Sequence, residues 1–192
     1  TCLAQFQANL HGVLREDDPE YLHQARVALR RLRAALRLFR RVCPLKSIEL
    51  QQSLRNWNTA LGPARDWDVL CLDTLPPIAP HFPDTQAWTH FAAAADNQRQ
   101  CTRQAMRTTL MESNPGRVLL QFQQWLMQKT WRDAVSDPRQ DKVCLQPLSD
   151  FARRALRTGR RKIRDMAQDF GELTPDARHA LRILIKRQRY AV

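Results

Sequence analysis

The feature that most limits what this chain can become is its unbroken helical period. Apolar residues recur every three or four positions through each long segment, and no stretch keeps up the apolar/polar alternation of a strand. An all-α fold follows, and its punctuation is strong. A first segment from Cys2 to Leu14 ends at Asp17-Asp18-Pro19. A second runs from Pro19 to Val42, with proline at a favourable first-turn position and Pro44 past its end. Ser47 predicts the N-cap of a third helix to Leu61 with Glu49 in its first turn. Gly62-Pro63 is expected to break it before a shorter helix from Ala64 to Leu75, which Pro76-Pro77 stops. Asp84 caps a long helix to about Glu112. Asn114-Pro115-Gly116 is the strongest internal boundary, and helices follow at roughly 117–135, 147–170 and 175–192, the last opened by Thr174-Pro175. Short loops predict antiparallel neighbours in a bundle, with Trp57, Trp67, Trp88, Trp125 and Trp131 as core or groove packing.

Charge narrows the function. The 192 residues carry 31 Lys+Arg against 19 Asp+Glu, a formal net charge of +12, within a composition that is 43% hydrophobic. That apolar content separates a folded basic domain from a basic disordered tail. The longest purely apolar run, Phe91 to Ala95, is far short of a membrane span, so no membrane partner is expected. Lys stands only at 46, 129, 142, 162 and 186, leaving 26 Arg, whose planar forks suit bidentate binding of phosphate or carboxylate. Five widely spaced Cys without a C-x-x-C pair suggest neither a disulfide framework nor a zinc site, and a reducing cytoplasm fits them best. Val192 falls inside a helical pattern with no stop signal, which points to a cut boundary.

The cations are ordered. With His23 at zero and 100° per residue, Arg26, Arg30, Arg33 and Arg37 fall within about 80° of it on one side, a stripe about 16 Å long. Ala25, Ala28, Leu29, Leu32, Ala35, Leu36 and Phe39 gather on a face roughly opposite. Stacking like charges on one face costs a few tenths of a kcal/mol per pair, so an anion should offset it, although a solvated surface would look the same. The pattern then recurs 156 residues later, where His179, Arg182, Ile183, Lys186, Arg187 and Arg189 repeat the offsets. Six matched positions indicate an internal duplication. Arg31 and Arg187 lie about 100° round their helices from Arg30 and Lys186, off the stripes. Arg153, Arg157 and Arg160 share a further helical face, and Arg99, Arg103 and Arg107 form a weaker stripe at steps of four.

These motifs carry a resemblance. The helix His23-Gln24-Ala25-Arg26-Val27-Ala28-Leu29-Arg30-Arg31-Leu32-Arg33, the segment Leu61-Gly62-Pro63-Ala64-Arg65-Asp66-Trp67-Asp68-Val69-Leu70 and the closing helix from His179 to Tyr190 together resemble the CHAD family, the conserved histidine α-helical domain, over essentially the whole chain. The resemblance implies one all-α domain over 1–192, built as two pseudo-symmetric helical bundles around a basic central channel that binds inorganic polyphosphate. The halves would be about 1–114 and 115–192. Matched by position, the implied binding residues are His23, Arg26, Arg30, Arg33, His179, Arg182, Lys186 and Arg189, with Arg65 as a further candidate; Arg37 and the set Arg153, Arg157 and Arg160 come from stripe geometry. Gln188 stands where the family usually has a hydrophobic residue, which predicts weaker packing of the last helix. A counterpart of Arg65 in the second half would lie near position 221, so the second bundle is expected to be incomplete, with another chain as one way to complete it. Asp66 is expected to cap the short helix or to pair with a stripe Arg.

Catalysis is not expected. The chain has no Walker-type Gly-rich loop, no H-E-x-x-H and no acidic cluster with metal spacing, so no catalytic residue, metal or cofactor is assigned. The main rival is a nucleic-acid-binding helical domain engaging an RNA or DNA backbone, and a protein scaffold is third. Against nucleic acid, the stripes hold few Asn or Gln to read bases and no interleaved aromatics to stack on them. Inorganic polyphosphate or another polyanion is the expected partner, with a cytoplasmic location and association with polyphosphate granules.

Overall fold

The computed structural model describes residues 2–129 and 144–190. Within them the fold is all-helical, without strands. Helix α1 spans Cys2–Arg15, α2 Pro19–Leu38, α3 Ile48–Asp68, α4 Thr85–Glu112, α5 Pro115–Gln128, α6 Leu148–Ala167 and α7 Pro175–Arg189. No described helix is long and apolar enough to cross a membrane. Three starts follow the capping chemistry of the sequence. Ser47 accepts from Leu50 N at 3.2 Å, Asp84 from Ala87 N at 2.8 Å and Thr174 from Ala177 N at 3.3 Å.

One boundary differs from expectation. Gly62-Pro63 does not break α3, which runs on to Asp68 and passes directly into a π-helical turn over Val69–Thr74. Buried Leu50, Leu54, Trp57, Leu61, Ala64 and Asp68 explain why: their spacing of four and three holds one inward stripe straight through the glycine and proline. Burying that stripe outweighs one lost backbone hydrogen bond. Two helices expected over 117–135 and 175–192 end earlier, α5 at Gln128, after which Lys129 takes a φ of 51°, and α7 at Arg189; Trp131 lies outside the described residues.

The chain forms two compact units, residues 1–30 with 47–127, and residues 31–46 with 128–192. α5, which follows the Asn114-Pro115-Gly116 boundary, therefore belongs with the first. The core of the first unit is built on Trp57, fully buried, with Phe6 stacked on it at 5.0 Å and its indole N–H donating to Ser113 Oγ at 2.7 Å. Leu22, Ala25, Ala28 and Leu29 bury the inner face of α2. Gly12 lets α2 approach α1, since a Cβ there would fall within the Tyr21 ring.

Two arginines of the 99–107 series are neither solvated nor part of a surface stripe. Arg103 is fully buried and its Nη1 donates to both carboxylate oxygens of the fully buried Asp68, at 3.0 and 3.1 Å. Arg99 Nη1 lies 3.5 Å from Asp68 and its Nε donates to Asp96 at 2.7 Å. Burial alone would lower the Arg99 pKa, but Asp96 and Asp68 together outweigh it and raise it. Arg103 also donates to the carbonyls of Asp17 and Asp18, while Arg107 donates to the Val13 and Glu16 carbonyls and to the Asp17 carboxylate. The turn that launches α2 is thus tied to α4.

In the second unit α6 packs on α7, and Phe39, just past α2, stacks on Phe151 at 5.2 Å. Gln188 does not loosen this pairing. Its side chain lies across Gly159, where a Cβ would collide with it, and donates to the Leu156 carbonyl at 3.0 Å. The polar residue is matched to a gap.

Removing Arg103 leaves Asp68 buried without its principal partner. Arg103→Met is expected to cost about 3–5 kcal/mol. Adding Asp68→Leu should recover part of that loss, because an apolar pair needs no compensation. Urea unfolding of the two single variants and the double variant measures both terms.

Candidate functional site

In the first unit the stripe begins on α2 with His23, Arg26 and Arg30. His23 and Arg26 are half-buried and Arg30 is exposed. Arg26 stands where the stripe meets the buried face, and α3 provides its floor. A Cβ at Gly62 would lie 3.2 Å from the Arg26 Nη1, so glycine there gives the guanidinium room. Burial lowers the Arg26 pKa, Asp66 opposes the shift, and Arg30 and Arg65 add to it. Three arginines and one carboxylate therefore share this corner. Asp66 is inside α3 rather than at a cap, and it acts on Arg26 through its charge from an exposed position rather than through an ion pair.

Arg65 reaches across the π turn to Asp73 at 3.5 Å, and Asp73 is 60% exposed. The wider turn packs more residues into each length of axis, which helps bring together groups eight apart in sequence. Arg65 itself is only 20% exposed, but solvent screening on the Asp73 side keeps the pair to about 1 kcal/mol or less.

In the second unit the stripe continues with Arg33, half-buried, and Arg37, exposed. Burial lowers the Arg37 pKa, and the charges that lower it further are Arg187, Arg33 and Arg40. Arg187 therefore adjoins the α2 stripe, contrary to the helical-wheel reading that set it aside. His179, Arg182, Lys186 and Arg189 are exposed along one side of α7, opposite the face that buries Leu181, and the Arg189 guanidinium lies 5.5 Å from the Tyr190 ring centre. On α6, Arg153, Arg157 and Arg160 are exposed. Arg153 pairs with Asp150 at 3.2 Å, and a shallow depression there is lined by Asp150, Arg153, Arg154, Arg157 and Thr158. A second depression, between α6 and α7, has Met166, Ala180 and Leu184 beneath Lys162, Asp165 and Arg187. Its apolar floor suits packing better than phosphate.

The stripe residues thus form one group of His23, Arg26, Arg30 and Arg65, and another of Arg33 and Arg37 joined by Arg187 and Arg40, with the α6 and α7 arginines on exposed faces of the second unit. Among the described residues no three His, Cys, Asp or Glu are grouped to hold a metal ion.

The family model for the CHAD domain matches residues 1–192. The chain belongs to the CHAD family. Among solved structures, the crystal structure of the CHAD domain from the plant Ricinus communis is similar at 31% identity and a TM-score of 0.80; the match covers 99% of this chain and 60% of that one. This CHAD chain therefore spans about 60% of the length of that relative. No curated protein matches it.

Within this CHAD chain, sequence reasoning missed Gly62 as a floor and Arg187 as a neighbour of Arg37. Gly62 was detectable, because it lies one residue after Leu61 on a stripe that continues to Asp68. Arg187 was not, since its proximity to Arg37 depends on how two distant segments pack.

Gly62→Ala asks Arg26 to yield only a few tenths of an ångström while gaining up to about 1 kcal/mol of helix propensity, so the thermal midpoint should hold or rise. Gly62→Leu fills the space of the guanidinium. Peptide mapping after phenylglyoxal treatment should then show faster modification of Arg26 in the Leu variant than in the Ala variant.

Proposed function

We propose that this chain binds inorganic polyphosphate without transforming it. The candidate residues are His23, Arg26, Arg30, Arg33, Arg37, Arg65, Arg153, Arg157, Arg160, His179, Arg182, Lys186 and Arg189, to which Arg187 is now added. The observation that carries the reading is the grouping at Arg37, where the charges acting on a guanidinium partly removed from water are those of other arginines. Cations held beside cations raise the free energy of the empty site, and a flexible chain of phosphates relieves it with bidentate hydrogen bonds. Membership in the CHAD family supports the same reading. Within the second unit the α6 and α7 arginines supply a field that draws a polyanion in and half-buried Arg33 fixes a phosphate; within the first unit half-buried Arg26 offers a fixed position of its own.

Nucleic acid is the alternative polyanion, and salt alone does not distinguish the two, since both release counterions from the ligand. Competition does. Affinity for long-chain polyphosphate should fall steeply with salt, and RNA of equal total charge should compete poorly because the stripes offer bases little to hold. Equal competition by RNA would transfer the assignment to nucleic acid. Arg30→Glu and Lys186→Glu should each lower polyphosphate affinity about tenfold or more, near 1.4 kcal/mol per factor of ten. Arg187→Glu belongs with them. Arg117→Glu, at the exposed start of α5, makes the same change in net charge and should have a clearly smaller effect. If all four folded variants lose affinity equally, binding is a diffuse response to charge and not to a track.

Purified protein incubated with polyphosphate and magnesium should release no orthophosphate, and adding ADP should yield no ATP. Turnover that vanished on substituting Arg30 would replace the binding assignment with an enzymatic one.

A further inference from the structure

Five cysteines are present, and three of them, Cys2, Cys71 and Cys101, belong to the first unit. The other two belong to the second unit and come together there from opposite ends of a long sequence separation. Cys43 follows α2, where its backbone N–H donates to the Phe39 carbonyl at 2.7 Å. Cys144 lies just ahead of α6, exposed, with its Sγ 4.0 Å from the carbonyl oxygen of Val42. That oxygen belongs to the peptide unit that enters Cys43, so the Cys144 thiol sits against the backbone that carries Cys43, close enough for its charge to act on the Cys43 thiol. The Phe39–Phe151 stack holds the same two segments side by side. The spacing that makes a disulfide framework illegible in the sequence is thus closed by the fold.

We propose that Cys43 and Cys144 form a reversible dithiol–disulfide site, oxidised by thiol–disulfide exchange with a low-molecular-weight disulfide such as oxidised glutathione. The exposed Cys144 attacks first. Its thiolate displaces one glutathione thiolate and forms a mixed disulfide; the Cys43 sulfur then attacks the Cys144 sulfur, gives its proton to solvent and releases the second glutathione. Two protein thiols become one disulfide while one glutathione disulfide becomes two thiols, so electrons and protons balance. The order follows from the surroundings: burial, and then the neighbouring Cys144, push the Cys43 thiol up to about 11, which keeps it protonated and unable to start the exchange at neutral pH. The bridge fastens the segment leaving α2 to the one entering α6. It is independent of polyphosphate binding, and its test reads mass rather than affinity.

The reduced 192-residue chain is incubated with oxidised glutathione under native conditions, quenched with N-ethylmaleimide, weighed intact and mapped by peptide mass. The expected product is a monomer lighter by two hydrogens before alkylation, with two fewer alkylated thiols and a cross-linked peptide joining Cys43 to Cys144; dithiothreitol should reverse it. Cys101→Ser should leave the bridge intact, and Cys144→Ser should abolish it and leave Cys43 alkylated. A stable glutathione adduct on Cys144 with Cys43 still alkylated would overturn the proposal, as would a bridge through Cys2, Cys71 or Cys101 or a disulfide-linked dimer. Should Cys144→Ser fail to fold, the wild-type peptide map decides alone.

Discussion

Asp68 is the charge on which the first unit turns. Fully buried at the end of α3, it would be intolerable alone, because removing a carboxylate from water costs several kcal/mol after relaxation. Arg103 meets both of its oxygens and Arg99 stands beside one, so the acid draws α4 against α3 at a single register. The spare donors of Arg103, with those of Arg107, then satisfy carbonyls at the end of α1 and in the Asp17-Asp18 turn. The Val13 carbonyl is one of the acceptors a helix end cannot satisfy internally, and the other three lie in the turn that follows it. One buried ion pair thereby fixes where α2 begins, and through α2 the direction taken by His23, Arg26 and Arg30.

A helix period does not say which side of a cationic stripe faces in. Arg99, Arg103 and Arg107 recur at steps of four as regularly as the α2 arginines, yet Arg99 and Arg103 are core and the α2 set is half-buried or exposed. The difference is the partner. Buried arginine needs a carboxylate delivered from another element, and Asp68 is 35 residues from Arg103 in sequence. Caps were legible at Ser47, Asp84 and Thr174 because donor and acceptor are three residues apart and the chemistry is local. Gly62-Pro63 was misread because local breakers were weighed above a stripe that runs from Leu50 to Asp68 without a missed step. Gln188 looked like a packing fault because its counterpart, Gly159, lies on another helix.

The same contrast divides the candidate site. On α6 and α7 most of the arginines stand out into water, where a bound phosphate must first stop a long side chain from exploring its rotamers, at a cost approaching 2 kcal/mol each. Such residues raise encounter rate and salt sensitivity more than they define a geometry. Arg26 is different in kind. It is half-buried over Gly62 beside Asp66, so part of its ordering is already met by packing and by a carboxylate.

Preorganisation of that sort has a thermodynamic signature in the glycine itself. A larger residue at 62 would strengthen α3 as a helix, yet glycine gives up that propensity in exchange for space beside a guanidinium that burial already makes less willing to stay charged. A chain under no demand at Arg26 would do better with alanine at 62 and an apolar residue at 26. Keeping the glycine and the arginine together accepts a cost in both helices, and the proposed anion is what gives that cost a return: phosphate oxygens meeting Arg26 would restore the charge stabilisation lost on leaving water. The stripe is therefore legible in the sequence as repeated charge, but the ordering of Arg26 becomes visible only where α3 passes beneath α2.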